Sequence, residues 1–231
     1  MGTDLVISAY RDDLAWVRPL QRPAVLVHLY DKWEWPDSAA SRFGRDGTAV
    51  LYQRLPNVGK LDHTFLHHVV ERWDRLADWT VFSPDGPHEH LRGARIEDCL
   101  VAGDSLRVPW LHRTRDWGPD GRLRWDLFRA ITDRNGTNWY DRYQSGKIAR
   151  AGLSFVDWMR AHVGFDPDGP DWPGYQSGSI LAVPRRAITY LPRAFYARLR
   201  DRLSHDREPE EGHYLERAWV AIFSGLAEHR E

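Results

Sequence analysis

Leu5-Val6-Ile7-Ser8-Ala9-Tyr10 and Ala24-Val25-Leu26-Val27-His28-Leu29-Tyr30 decide the fold. Each is a short, nearly continuous apolar run, the pattern of a strand covered on both faces. Between them lie a polar turn, Arg11-Asp12-Asp13, and a short helical stretch with Leu14, Trp16, Val17 and Leu20. Asp12 is placed to cap that helix. Strand, short helix and strand make a βαβ unit, and βαβ units build parallel sheets.

Outward from this unit the alternation continues. Thr48 to Gln53 reads as a strand, and Leu55-Pro56-Asn57-Val58-Gly59 as a turn. From Asp62, the residues Leu66, Val69, Val70, Trp73 and Leu76 form one apolar stripe, which predicts a helix over 62–76. Residues 79–83 and 179–183 read as further strands, with the sharp turn Ser83-Pro84-Asp85-Gly86-Pro87 after the first. Phe195, Leu199 and Leu203 mark one late helix. Leu215, Trp219, Ile222, Phe223 and Leu226 mark a last helix over 210–227. Residues 88–100 read as a helix. Residues 103–175 are rich in Trp, Arg, Asp and Gly with little period, and read as a long insertion packed on the sheet over a cleft. The expected fold is a single α/β domain with a mostly parallel central sheet flanked by helices.

Composition narrows the function. The chain has 231 residues, long enough for a core without disulfides, and its 42% hydrophobic and 28% charged residues suit a globule. A formal charge of −1 from 32 basic and 33 acidic residues argues against a nucleic-acid partner. A single cysteine, Cys99, excludes an intrachain disulfide framework and a cysteine-rich zinc site. No apolar run approaches the roughly 18–20 residues of a membrane span, and no signal-peptide pattern opens the chain, so the reading is cytoplasmic. The dinucleotide glycine fingerprint, the P-loop and the Gly-x-Ser-x-Gly elbow are absent.

One block carries a resemblance. Leu55-Pro56-Asn57-Val58-Gly59-Lys60, His63-Thr64-Phe65-Leu66-His67-His68 and Trp73-Asp74-Arg75-Leu76-Ala77-Asp78-Trp79-Thr80-Val81-Phe82 resemble the bacterial and fungal family known as domain of unknown function 3431. The opening strand with Tyr10, Asp13 and Trp16 agrees with it. So do Gly178, Ala182-Val183, Arg186, Ile188, Pro192-Arg193, Phe195-Tyr196 and Leu215-Glu216-Arg217-Ala218-Trp219 near the end. The family's Glu after its Gly-Arg falls on Leu61, with Asp62 beside it. Its Gln-Gly after the Phe-ending strand is replaced by Ser83-Pro84-Asp85-Gly86. The family is similar in layout to nucleotide-sugar glycosyltransferases of the GT-A type. The resemblance therefore implies a transferase with a nucleotide-activated small-molecule donor.

Four groups of residues are candidates for chemistry. Tyr10-Arg11-Asp12 and Tyr30-Asp31-Lys32 follow strand ends, where open α/β sheets bind ligands. Tyr10, Arg11, Asp12, Asp31 and Lys32 would hold the nucleotide, or else cap helices and pair on the surface. Asp85, His88 and His90 stand where a GT-A enzyme carries its Asp-x-Asp metal motif, which is missing here. They would hold a divalent cation, Mn or Mg, or simply form a polar turn. Asp166 and Asp168 are the other close acidic pair, in a Pro/Gly loop. His63, His67 and His68 share the 62–76 helix, with His63 and His67 four apart. His213, Glu216 and Arg217 share the last helix. Glu216, His63 and Asp62 are the candidates to deprotonate an acceptor hydroxyl. A non-catalytic ligand-binding module, or a tailoring enzyme whose tryptophans shape an aromatic pocket, are the competing readings.

Overall fold

The computed structural model describes residues 2–10, 14–20, 24–33, 50–132 and 136–227. Five strands form one sheet: β1 (Thr3–Ala9), β2 (Val25–Asp31), β3 (Val50–Arg54), β4 (Trp79–Pro84) and β5 (Leu181–Pro184). Their order is β3-β2-β1-β4-β5. The first four are mutually parallel and β5 runs antiparallel to β4. The helices are α1 (Lys60–Glu71), α2 (Ile96–Cys99), α3 (Trp139–Gln144), α4 (Phe155–Trp158), α5 (Arg185–Ile188), α6 (Arg193–Leu203) and α7 (Glu210–Phe223). Residues 15–20 form a 3-10 segment. No helix among the described residues is long and apolar enough to cross a membrane.

The apolar runs are continuous because both sheet faces are covered. Leu5, Ile7, Val27, Leu29 and Val81 meet Leu14, Val17 and Leu20 of the 3-10 segment, which Leu14 precedes, and Ile96 of α2. Val6, Tyr30 and Phe82 point the other way, into the larger core built on α1, α6 and α7. α1 packs against both α6 and α7. Most of the expected stripes are buried: Leu66 is fully buried, Trp219 is 1% exposed, and Phe195, Leu199 and Leu203 line the inner face of α6, whereas α7 ends at Phe223, short of the expected 227, and leaves Leu226 past its end and only partly buried.

Trp73 departs from its expected place in the core. α1 stops at Glu71, where the Arg72 N–H turns back to the His68 carbonyl, and a 3-10 turn follows. That breaks the helical phase, so Trp73 is only partly buried against Tyr196, with ring centroids 6.1 Å apart. Residues 88–100 likewise form a 3-10 turn (Pro87–His90) and the short α2 rather than one helix.

The 103–175 segment is part of the core. Trp117, Trp125, Ile148, Phe155 and Trp158 belong to the same cluster as Phe82 and Trp219. The buried ion pair of Arg217 with Asp116 (Nε–Oδ2 2.8 Å), joined by the Tyr175 hydroxyl at 3.0 Å, ties the segment to α7. Trp125 Nε1 and the Ala151 N–H both donate to Glu210, at 3.0 and 2.9 Å. Sandwiched between sheet and insertion, α7 buries 13 of its 14 residues, and the remaining one is Glu216.

Candidate functional site

In a parallel sheet the ligand crevice opens at the carboxyl ends of the strands, where neighbouring connections leave in opposite directions. Here β1 is followed by β2 on one side, while β4 lies on its other side. The switch point is therefore between the ends of β1 and β4, at Tyr10 and Asp85. The Tyr10 N–H donates to Asp85 Oδ2 at 2.7 Å, and Trp16 Nε1 donates to the Asp85 carbonyl at 2.7 Å. Because β5 is antiparallel, its beginning lies at the same edge: Leu181 pairs with Phe82. The turn before β5 thus joins the site.

Lys32, just past the end of β2, is 2% exposed. Its ammonium lies 5.9 Å from the Tyr10 ring centroid and donates to the carbonyls of Val58 and Lys60. Burial lowers it to about 7, against the pull of Asp62. The turn it pins leads into α1 through two left-handed residues, Gly59 (φ 62°) and Lys60 (φ 53°). Only glycine fits at 59: an added Cβ would stand 2.7 Å from the Cβ atoms of His63 and Leu203.

Asp62 and His63 occupy the first turn of α1. Asp62 is 1% exposed, and its Oδ1 accepts the Trp219 indole N–H at 2.7 Å. Burial raises its carboxyl to about 7, opposed by Lys60 and the Trp219 hydrogen bond and assisted by Glu216. His63 is buried, and burial together with Lys32 lowers it to about 3, so its imidazole is neutral. Lys60 Nζ lies 3.2 Å from His213 Nδ1 and 5.1 Å from the Trp139 ring centroid. Burial, then Lys60 and Arg217, hold His213 far below its ordinary value.

Glu216 faces the same edge from α7. Its Oε1 accepts the Gly178 N–H at 2.6 Å, and Arg217 Nη1 stands 3.4 Å from its Oε2. Gly178 also rests on His90, whose Cγ would be 2.3 Å from an added Cβ. Among the described residues, the non-glycine residues with left-handed backbone are Lys60, Arg92 and Ser179. All three lie in segments at this edge. Strained backbone of this kind collects at binding and catalytic sites.

The expected site residues thus divide. Tyr10, Lys32, Asp62, His63, Asp85 and Glu216 gather at one edge, on or beside the sheet face that carries α1 and α7. The carboxyl pushed up by burial is Asp62. Asp31 is buried within the fold's own contacts: Oδ2 accepts the Tyr52 hydroxyl at 2.6 Å, and Oδ1 accepts the Trp33 N–H at 2.7 Å. Arg11 and Asp12 lie outside the described residues. His88 packs edge-on to Trp16, with centroids 6.2 Å apart. Asp85, His88 and His90 do not bring three ligand atoms together. Among the described residues, the group that does so within 4.8 Å is Asp4, His28 and His68. In the sequence, Asp166 and Asp168 stood out as a close acidic pair; both engage Arg160 on the surface, and Asp168 also accepts the Trp117 indole N–H at 2.9 Å.

Asp4, His28 and Lys60 were not among the candidates for chemistry, and His68 and His213 were named there only with their helix neighbours. The available signal was polar residues inside apolar runs, His28 in β2 above all. Comparison with known proteins finds no family model, no curated protein and no solved structure that matches the chain.

Proposed function

We propose that this chain is a transferase of glycosyltransferase-like layout, moving a group, in the first instance a sugar, from a nucleotide-activated donor to an acceptor hydroxyl. One observation carries the reading. Of the twelve buried polar side-chain atoms without a partner among the described residues, four lie in segments that border the carboxyl edge: Asn57 Oδ1, His63 Nδ1, Gln176 Nε2 and Ser179 Oγ. Native proteins leave few buried polar atoms unsatisfied, and a polar ligand accounts for four in adjoining segments. The stretch from Leu55 to Phe82, which supplies two of them, is also the block most similar to the domain-of-unknown-function family.

In this reading Tyr10 and the Asn57 turn border the nucleotide, and Lys60 offers positive charge to its diphosphate. Asp62, held near neutrality, takes the acceptor's proton. Neutral His63 orients the acceptor through Nδ1, and Glu216 borders its path. Asp85, His88 and His90 do not assemble a cation site, so no role in transfer is given to a manganese or magnesium ion held by them.

A second reading is a non-catalytic binding module on the same fold. It is favoured by the internal engagement of Lys32 and Asp62, each already hydrogen-bonded within the chain. A thermal-shift panel of nucleotide-sugars, with and without manganese, tests both, because a ligand that binds the folded state raises its apparent stability. A stabilising donor that is also consumed supports the transferase. Stabilisation without turnover on any acceptor supports the module, and no response to any donor contradicts both.

A further inference from the structure

Behind the carboxyl edge, on the same sheet face, three ligand-type side chains meet from three different elements. Asp4 comes from β1, His28 from β2 and His68 from α1, and all are at most 3% exposed. His28 Nε2 stands 3.0 Å from Asp4 Oδ1, and His68 Nε2 stands 3.6 Å from Asp4 Oδ2. The two imidazoles cross edge-to-face with centroids 4.6 Å apart. Tetrahedral zinc with metal–ligand bonds of 2.0–2.2 Å needs neighbouring ligand atoms about 3.3 Å apart. The two spacings, each to a different oxygen of Asp4, lie either side of that value, and one ligand atom from each of the three residues lies within 4.8 Å of the others.

A hydrogen-bonded network accounts for only part of this arrangement. His68 Nδ1 is engaged by the Tyr30 hydroxyl at 3.0 Å. That contact leaves Nε2 fully buried and aimed at Asp4 Oδ2, which at 3.6 Å stands just beyond hydrogen-bond length. The surroundings have the form of an outer shell. Tyr30 orients the His68 ring, and the Ala77 N–H approaches Asp4 Oδ2 at 3.4 Å. Groups of this kind set ligand orientation and tune affinity.

We propose that Asp4, His28 and His68 form a buried zinc-class metal site that clasps β1, β2 and α1. Two imidazoles and a carboxylate suit zinc, with water as a fourth ligand. Three protein ligands and a water also describe a catalytic zinc site, but burial of all three side chains leaves a substrate no access, so the role assigned is structural. Its His68 lies about 7.5 Å along α1 from His63, at 1.5 Å per residue, and the site is separate from the transfer chemistry.

The test uses the full chain, stripped with a chelator and then titrated with cobalt(II) and zinc(II). The expected result is one metal per chain by elemental analysis, with a visible cobalt ligand-field band that zinc displaces. D4N and H68Q should lose the band. Y30F should keep it with affinity about 10–100-fold weaker, as for other lost outer-shell contacts. H67Q, a change of the neighbouring histidine outside the trio, should leave binding unchanged. A wild-type protein with no stoichiometric metal and no cobalt band overturns the proposal and leaves a hydrogen-bonded network. Equal loss in H67Q and H68Q overturns it in favour of binding by the exposed side of α1. If D4N fails to fold, the wild-type band and Y30F decide. None of these readouts depends on a nucleotide, so failure here is distinct from failure of the proposed transferase.

Discussion

Trp219 donates its indole N–H to the buried carboxyl of Asp62, 157 positions earlier, at 2.7 Å. This bond fixes α7 on the first turn of α1 at the carboxyl edge. It satisfies two buried polar groups at once and sets where Asp62 stands. Replacing Trp219 by Phe keeps an aromatic ring but leaves the carboxyl unpaired. The expected loss is about 1–3 kcal/mol. Trp219→Ala adds a cavity and should cost about 3–5 kcal/mol. Urea denaturation of both variants checks the order, and a Trp219→Phe variant as stable as the wild type would show that the hydrogen bond adds nothing.

Asp62 also gives a pH signature. Its carboxyl moves from the ordinary 3.8 to about 7 in the fold. Below 3.8 both folded and unfolded chains hold the proton. Between 3.8 and about 7 the unfolded chain releases it and the folded chain keeps it. The stability present at low pH is therefore lost as pH rises through about 7, by at most about 1.4 kcal/mol per pH unit. Asp62→Asn should flatten this part of the stability profile. Lys32, lowered from 10.5 to about 7, acts in the opposite sense over the alkaline window, where stability should rise with pH. Denaturation midpoints of wild type, Asp62→Asn and Lys32→Met across pH 4–10 separate the two.

The same substitution reports on chemistry. If Asp62 takes the acceptor's proton, Asp62→Asn should lower kcat by about 10²–10⁴ with a smaller change in KM for the donor. Steady-state kinetics on whichever donor stabilises the protein gives the split. An unchanged kcat would move the proton-accepting role to His63 or Glu216.

The clasp between α7 and the insertion is a buried charge pair. Removing one partner by Arg217→Met strands Asp116 and should cost about 3–5 kcal/mol, whereas Arg217→Met with Asp116→Leu should recover much of that loss. Thermal unfolding of single and double variants measures the difference. At the turn into α1, Gly59→Ala should destabilise by about 1–3 kcal/mol, because alanine must adopt φ 62° against His63 and Leu203. A neutral effect there would mean that the turn relaxes freely.

The sheet was legible because four of its strands are plain apolar runs and the crossover helices repeat at 3.6 residues. Trp73 was misplaced because periodicity continues on paper past Glu71, while the backbone turns into a 3-10 segment. The insertion carries no period because it packs through scattered tryptophans and a charge pair on α7. At the site, Tyr10, Lys32, Asp62, His63 and Glu216 could be picked as residue types after strand ends or in the blocks that prompted the expected resemblance. Their distinct states could not. That Asp62 is buried beneath Trp219, and that Asp31 is engaged by Tyr52, depends on elements folding together from distant parts of the chain. Asp4, His28 and His68 share no local spacing, since each comes from a different element.

The central claim is that the carboxyl edge between β1 and β4 binds a nucleotide-activated donor. Backbone amide NMR shifts during titration with a donor nucleotide-sugar test it most directly. The account predicts shifts concentrated at Tyr10, Lys32, Asn57 to His63, Gly178 to Ser179 and Glu216, reduced in His63→Ala. Shifts confined instead to the surface cavity between His162 and Arg198, of about 510 Å³, or no saturable shifts with any donor, would contradict it.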